Sequence, residues 1–279
     1  TSAHVAVLDH AFQPTEVASN VSVGSSVLGR SPADPRLHGT IVSNILAARG
    51  NDSSGMTGIM WRAGLHLQDF GTSHPTPSQI GREIERAGAA GVSIVNLSYG
   101  WDIPWGPYVP TGAAQDTAFV WRQLAPMMRY LRKSQQSGKL PLVVVSAGNY
   151  PVDALLIGYP ALKDSFPSNF LVVGASTKAP RGRWISVGTG QASAVGPRVD
   201  IYAPGEGVFT YGPGGYGPGS GTSEAAPIVA GIAGLLKSFN PNLTAAELRD
   251  LVINGAVVGG RNVVRTPGTS DSAPLANAY

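Results

Sequence analysis

The chain has 279 residues, 43% of them hydrophobic, with 36 glycines and no cysteine. It can bury the core of a large α/β unit, but it has no disulfide framework and no thiolate metal site. Its 20 basic and 17 acidic residues give a net charge of only +3 and are scattered along the chain, which argues against a nucleic-acid or membrane partner. No apolar run approaches the ~18 residues of a membrane span, and the N-terminus lacks a basic-then-apolar signal pattern. The start at Thr1 without Met implies a processed product, with a pro-segment or upstream domain removed.

In chain order, short apolar runs alternate with helical patterns. His4 to Leu8 reads as a buried strand ending at Asp9, and His38 to Arg49 as a helix with Ile41, Val42, Ile45 and Leu46 on one face. Further strands are predicted at Leu65 to Phe70, Val92 to Leu97, Leu142 to Ala147 and Phe170 to Ala175. Further helices are predicted at Ser78 to Ala90, Ala114 to Gln136, Thr222 to Phe239 and Thr244 to Asn254. Ser78 after Pro77, and Thr244 three residues before Glu247, read as helix N-caps. Trp101 to Gly112, with Pro104, Pro107 and Pro110, reads as an ordered surface insertion, and the Gly/Pro-rich Tyr211 to Gly221 as a loop leading into a helix. The alternation predicts an α/β fold of three layers: a mostly parallel twisted sheet with helices on both faces, as one domain over 1–279.

Three short segments carry candidate chemistry. Asp9 stands at the carboxyl edge of the first strand, where open α/β proteins place their sites, although an Asp there is as readily a turn former. His38 opens His-Gly-Thr, with Gly39 permitting close backbone approach; alone it is an ordinary histidine near a helix start. Ser223 lies in Ser220-Gly221-Thr222-Ser223-Glu224-Ala225-Ala226-Pro227, at the first turn of a helix rich in small residues, where a plain N-cap serine is the competing reading.

Together, and in the order Asp, His, Ser, these segments resemble the subtilisin-like serine peptidases. Val143 to Asn149, ending in Ala-Gly-Asn, is similar to the strand whose asparagine donates to the oxyanion in that family. Ile94 to Gly100 resembles its substrate-binding edge strand, Asn169 to Ala175 a later core strand, and Val199 to Gly205 the segment before the nucleophile loop. The resemblance implies a serine endopeptidase acting on protein or peptide substrates, as a secreted monomer. It assigns Asp9, His38 and Ser223 to the catalytic triad and Asn149 to the oxyanion hole. Ser98, Tyr99, Gly100, Trp101, Ala147 and Gly148 would bind the substrate.

Some residues depart from the family pattern. Asp9 is followed by His10-Ala11-Phe12 instead of a Ser/Thr-Gly turn, and Glu224 replaces the common Met after the nucleophile. The loop Asn51 to Gly55 resembles the family's calcium loop in position. However, the short start removes an N-terminal arm that would supply some of calcium's six to eight oxygens, so an ordinary turn is the leading reading and calcium the alternative; no cofactor is required and no metal ligand is assigned. Two other readings were weighed. The departures fit an inactive peptidase-like binding module, and Gly-rich loops before helices also suit a nucleotide-binding protein, but no Gly-Lys-Ser/Thr closes the loop before Ser223.

Overall fold

The computed structural model describes residues 3–12, 37–71, 75–99, 117–178, 182–212, 214–257, 263–265, 272–274 and 276. Gly100, Trp101 and the rest of the expected insertion lie outside them. The five predicted apolar runs form β1 (His4–Asp9), β2 (Gly64–Asp69), β3 (Ile94–Leu97), β4 (Leu142–Ser146) and β5 (Phe170–Ser176). A sixth strand, β6 (Ile201–Pro204), closes one edge. The order is β2-β1-β3-β4-β5-β6 and every pairing is parallel.

Parallel neighbours need crossovers, and helices supply them. They are α1 (His38–Ala47) between β1 and β2, α2 (Pro77–Ala89) between β2 and β3, and α3 (Thr117–Gln136) between β3 and β4. Alternate strand residues point to opposite faces. Val5 and Val7 of β1 join a core with Val42 and Leu46 of α1. Ala6 and Leu8 join a second core with Ile80 and Ile84 of α2 and Leu124 and Met127 of α3. One core on each face of the sheet makes the three layers. Against the first core lie α4 (Thr222–Phe239) and α5 (Ala245–Val257). Among the described residues no helix is long and apolar enough to cross a membrane.

Some local expectations change. The N-cap of α2 is Thr76, not Ser78: Thr76 Oγ1 accepts from Gln79 N (3.3 Å), while Gln79 Oε1 accepts from Thr76 N (2.8 Å). This reciprocal box puts Pro77 at the first helical position, where its missing N–H costs nothing. The expected cap of α5 holds, with Glu247 N donating to Thr244 Oγ1 (3.3 Å) and Thr244 N to Glu247 Oε2 (2.8 Å). Tyr211 to Gly221, read as a loop, is mostly hairpin: β7 (Val208–Gly212) pairs antiparallel with β8 (Gly215–Gly219). A ladder needs only backbone groups, and Phe209 stacked on Tyr216 at 5.8 Å adds the side-chain contact that the glycines lack. Near the C-terminus, β9 (Val263–Arg265) pairs antiparallel with β10 (Ser272–Pro274).

The strand order reverses beside β1. From β1 the chain crosses to β2 on one side, then returns past β1 to β3 on the other. The carboxyl ends of β1 and β3 therefore border the crevice where open α/β sheets place ligands. The turn after β1 shapes one wall. Ala11, fully buried, takes a left-handed φ of 58°. Its N–H donates to Asp69 Oδ1 (3.3 Å), its carbonyl accepts from Thr40 Oγ1 (3.3 Å), and Gly39 N donates to His10 O (2.8 Å). A side chain at Gly39 would meet His10 O and the Phe12 ring at 2.8 Å, so this glycine lets the turn and α1 touch.

At the far end of the sheet, Asp200 is held by Lys163 Nζ (2.7 Å), by the Arg249 guanidinium (2.5 Å) and by Val172 N (3.0 Å). Asp200→Ala would take the paired carboxylate from Lys163 and leave Arg249 with Asp250 at 3.5 Å, so it should lower unfolding free energy by about 3 kcal/mol in urea titration. Ala11→Gly should act in the opposite direction. It relieves a left-handed alanine and is expected to stabilise the chain by about 1 kcal/mol in the same measurement.

Candidate active site

Asp9 ends β1 with a side chain that has no exposed surface. His38, first residue of α1, brings Nδ1 to 2.8 Å from Asp9 Oδ1 and 3.0 Å from Oδ2. A carboxylate can only accept, so Nδ1 is the protonated nitrogen of this pair and Nε2 carries the lone pair. His10 adds to the same carboxylate: its N–H donates to Oδ1 (2.8 Å) and its Nδ1 lies 3.2 Å from that atom. The His10 ring stacks on His38, with centroids 5.5 Å apart and planes 8° from parallel, and meets Tyr99 edge-on at 5.5 Å. Burial pushes the Asp9 carboxyl up. The facing charge of His38 and hydrogen bonds from His10 and His38 outweigh it, holding Asp9 below the usual carboxylate range.

Across the crevice, Ser98 follows β3 and Ser223 lies in the first turn of α4. Ser98 Oγ donates to the Ser223 carbonyl (3.1 Å), and Ser223 Oγ donates to the Ser98 carbonyl (3.2 Å). Asn96 Nδ2 donates to Ser98 Oγ (3.0 Å), extending the tie into the sheet. Helix α4 also packs closely on the segment after α1, where a side chain at Gly231 would meet Ile59 at 2.6 Å.

Asn149 lies just beyond β4. Gly148 before it takes φ 106°, and a side chain there would meet Ile157 at 2.6 Å, so this turn requires glycine. Asn149 Oδ1 accepts from both Thr222 N (2.8 Å) and Thr222 Oγ1 (2.9 Å), while Thr222 Oγ1 accepts from Gly148 N (3.1 Å). With Oδ1 committed to two donors, the amide orientation is fixed and Nδ2 faces the nucleophile loop. A side chain at Gly221 would stand 3.0 Å from Nδ2, so Gly221 keeps that space open.

Of the expected substrate-binding residues, Ser98 and Tyr99 are buried at the end of β3, Tyr99 packing against the α2 and α3 core. Ala147 is fully buried in a third apolar cluster with Val172 and Tyr202. Gly100 and Trp101 lie outside the described residues. The loop Asn51 to Gly55 is an exposed turn in which Ser54 N donates to Asp52 Oδ1 (3.2 Å).

Two contributions were not foreseen. The contact of His10 with Asp9 and His38 is one, although the unusual residue after Asp9 was its signal. The other is Glu224, whose carboxyl turns inward over the loop: side chains at Gly219 and Gly221 would meet its oxygens at 2.7 and 3.0 Å. Glu224 is only 8% exposed. Burial pushes its carboxyl above the usual range, with Asp9 adding to the rise while His38 and its own backbone N–H oppose it. A carboxyl raised on folding binds its proton more tightly when folded, so stability is lost as pH rises from the ordinary carboxylate value through the folded one. Glu224→Gln should therefore match the parent at low pH and melt at a progressively higher temperature than the parent as pH rises through that window. Thermal melts across pH check this.

The subtilase family model matches residues 2–274. Subtilisin NAT from Bacillus subtilis subsp. natto is 29% identical over 266 residues, covering 92% of this chain and 61% of that protein. The chain thus spans about three fifths of that relative's length. Subtilisin Savinase from Lederbergia lenta is 30% identical over 265 residues, covering 93% of this chain and 85% of that protein. Among solved structures, one titled S41 Psychrophilic Protease shares the fold, with a TM-score of 0.72 at 22% identity over 100% of this chain and 92% of that one. With the buried Asp-His pair, the serine loop and the Ala-Gly-Asn turn standing inside a match of nearly full length, this chain belongs to the subtilase family.

Proposed function

We propose that the chain is a serine endopeptidase that hydrolyses peptide bonds in proteins or extended peptides through an acyl-enzyme. One observation carries the reading: the fully buried Asp9 carboxylate grips Nδ1 of His38 at the crevice that Ser98 and the first turn of α4 also border. Asp9 fixes the tautomer and stabilises the imidazolium, leaving Nε2 as the base. Ser223 Oγ, at rest against the Ser98 carbonyl, turns its proton to Nε2 and attacks the substrate carbonyl carbon. The oxyanion takes hydrogen bonds from Asn149 Nδ2 and from the Ser223 N–H, which is among the unpaired donors of a helix start. His38 then passes the proton to the leaving amine. Finally it deprotonates the water that cleaves the ester and restores Ser223.

By the family resemblance, the substrate lies extended along Ser98 and Tyr99 as an added strand, with its first side chain beside Gly148. Every step draws on side-chain and backbone groups of one chain. The reading is therefore a single domain over 1–279 acting as a monomer, with no cofactor required. We assign it to a secreted setting, which a chain without cysteine tolerates in either redox state.

A fluorophosphonate probe should label the folded chain at Ser223, and Ser223→Ala should abolish labelling; a folded parent that resists the probe would remove the enzyme reading. On a peptide substrate, Asn149→Ala should lower kcat ~100- to 1,000-fold with KM little changed, a magnitude known from subtilisin itself.

A further inference from the structure

The candidate site holds one more imidazole than the proposed mechanism uses. Asp9, His10 and His38 present ligand atoms that all lie within 4.8 Å of one another. His38 Nδ1 and His10 Nδ1 stand 2.8 and 3.2 Å from the same atom, Asp9 Oδ1. The two rings are within 8° of parallel. Both Nδ1 atoms thus stand beside a single carboxylate oxygen, and because near-parallel ring planes do not meet at one point, the His10 ring must turn for both to ligate one ion.

Two imidazole nitrogens and a carboxylate oxygen are a donor set suited to zinc and its divalent neighbours. Donors on one tetrahedral zinc ion stand about 3.4 Å apart, from bond lengths of about 2.0–2.1 Å. The separations from Asp9 Oδ1 are hydrogen-bonding distances, so an ion enters among these atoms only as they open by roughly half an ångström and the His10 ring turns its Nδ1 towards it. The approach is from the imidazole side: the His10 and His38 side chains are 20% and 24% exposed, whereas Asp9 is fully covered. Tyr99, edge-on to His10, limits how far that ring can swing.

We propose that Asp9, His10 and His38 form a chelating site for a zinc-type divalent ion, which reversibly switches off the enzyme. Each imidazole binds through an unprotonated Nδ1, so the proton it carried there moves to Nε2 or leaves to solvent. The ion replaces that proton in the link to Asp9. His38 Nε2 then carries the proton and can no longer act as a base, and removal of the metal by a chelator restores the original tautomer. The inhibitory part rests on the function proposed above; the binding part does not.

A second imidazole pair needs control. His4 Nδ1 lies 3.0 Å from His66 Nε2. No carboxylate joins that pair in a cluster of three or more metal-ligating side chains among the described residues. The test is therefore zinc titration of the full chain by calorimetry, with competition from a chromophoric chelator, on the parent, His66→Ala and His10→Phe. The phenylalanine keeps a flat ring over His38 without a ligand nitrogen. His66→Ala should retain a tight site, and His10→Phe should lose more than about ten-fold in affinity. Peptide hydrolysis should fall over the same zinc range and return with EDTA. His10→Phe, scored against its own zinc-free rate, should need more than about ten-fold more zinc for half-inhibition.

Copper bound to the parent should show nitrogen hyperfine lines in its paramagnetic resonance spectrum, and fewer in His10→Phe; this reads ligation independently of turnover. Equal zinc affinity in parent and His10→Phe, or no zinc binding by the parent, overturns the site. Zinc-free hydrolysis without zinc binding would do so while leaving the peptidase reading intact. Zinc bound through His10 in a chain that never hydrolyses peptide would keep the site and remove the peptidase reading.

Discussion

A carboxylate without exposed surface is tolerable only where something holds its charge, and the architecture around Asp9 answers to that constraint. Its side chain is closed to bulk solvent, and compensation comes from His38 Nδ1, the His10 backbone N–H and the nearby His10 ring. Each donor depends on a separate piece of fold. His38 must be the first residue of α1, which needs Gly39 to let the helix lie against the carbonyl of His10. The His10 ring must fold back over Asp9, and the left-handed Ala11 turns the chain to do so. An isolated buried charge would cost several kcal/mol, far more than the roughly 1 kcal/mol of a left-handed alanine. The strained turn is the lesser cost, and it stands where the chemistry is.

The other half of the crevice is organised by committed hydrogen bonds. Asn149 cannot turn its amide over, because Oδ1 already receives two donors from Thr222. Ser98 and Ser223 exchange a pair of hydroxyl-to-carbonyl bonds, so the end of β3 and the first turn of α4 keep one spacing. Neither arrangement contributes much to stability, since a typical net hydrogen bond is about 1 kcal/mol. Their effect is pre-orientation: the Asn149 amide and the backbone around Ser223 are held in place, and under the proposed mechanism only the Ser223 hydroxyl has to turn.

Much of this was legible in the sequence. Continuous apolar runs identify five of the six sheet strands because a strand buried on both faces has no polar side to interrupt it. Asp9, His38, Ser223 and Asn149 are legible because each sits in a short motif at an element's end, and the fold puts element ends at the crevice. Contacts made across the fold were not legible. Nothing local to Gly215–Gly219 predicts a strand, since its partner β7 and the aromatic pair between them supply the stabilisation. The packing of His10 on His38 depends on the backbone sign of Ala11, which an alanine does not advertise. Thr76 was passed over as a cap because Pro77 looked like the boundary, when a proline at the first helical position leaves the cap one residue earlier.

Glu224 shows how the same surroundings divide two acids. Both carboxyls are buried and both feel His38, yet Asp9 is held below the ordinary range and Glu224 is pushed above it. The difference lies in what faces each group. Asp9 meets ring and backbone donors, whereas Glu224 is wedged over glycines and receives its own backbone N–H. Environments that drive two titratable groups apart give them different roles. Here Asp9 keeps the charge that a protonated imidazole needs. The rise in the Glu224 carboxyl disfavours a second negative charge beside the point where an oxyanion would form. An ionised acid there would favour the imidazolium and oppose the oxyanion at once, so the burial that disfavours ionisation of Glu224 leaves Asp9 as the favoured seat of negative charge in the site.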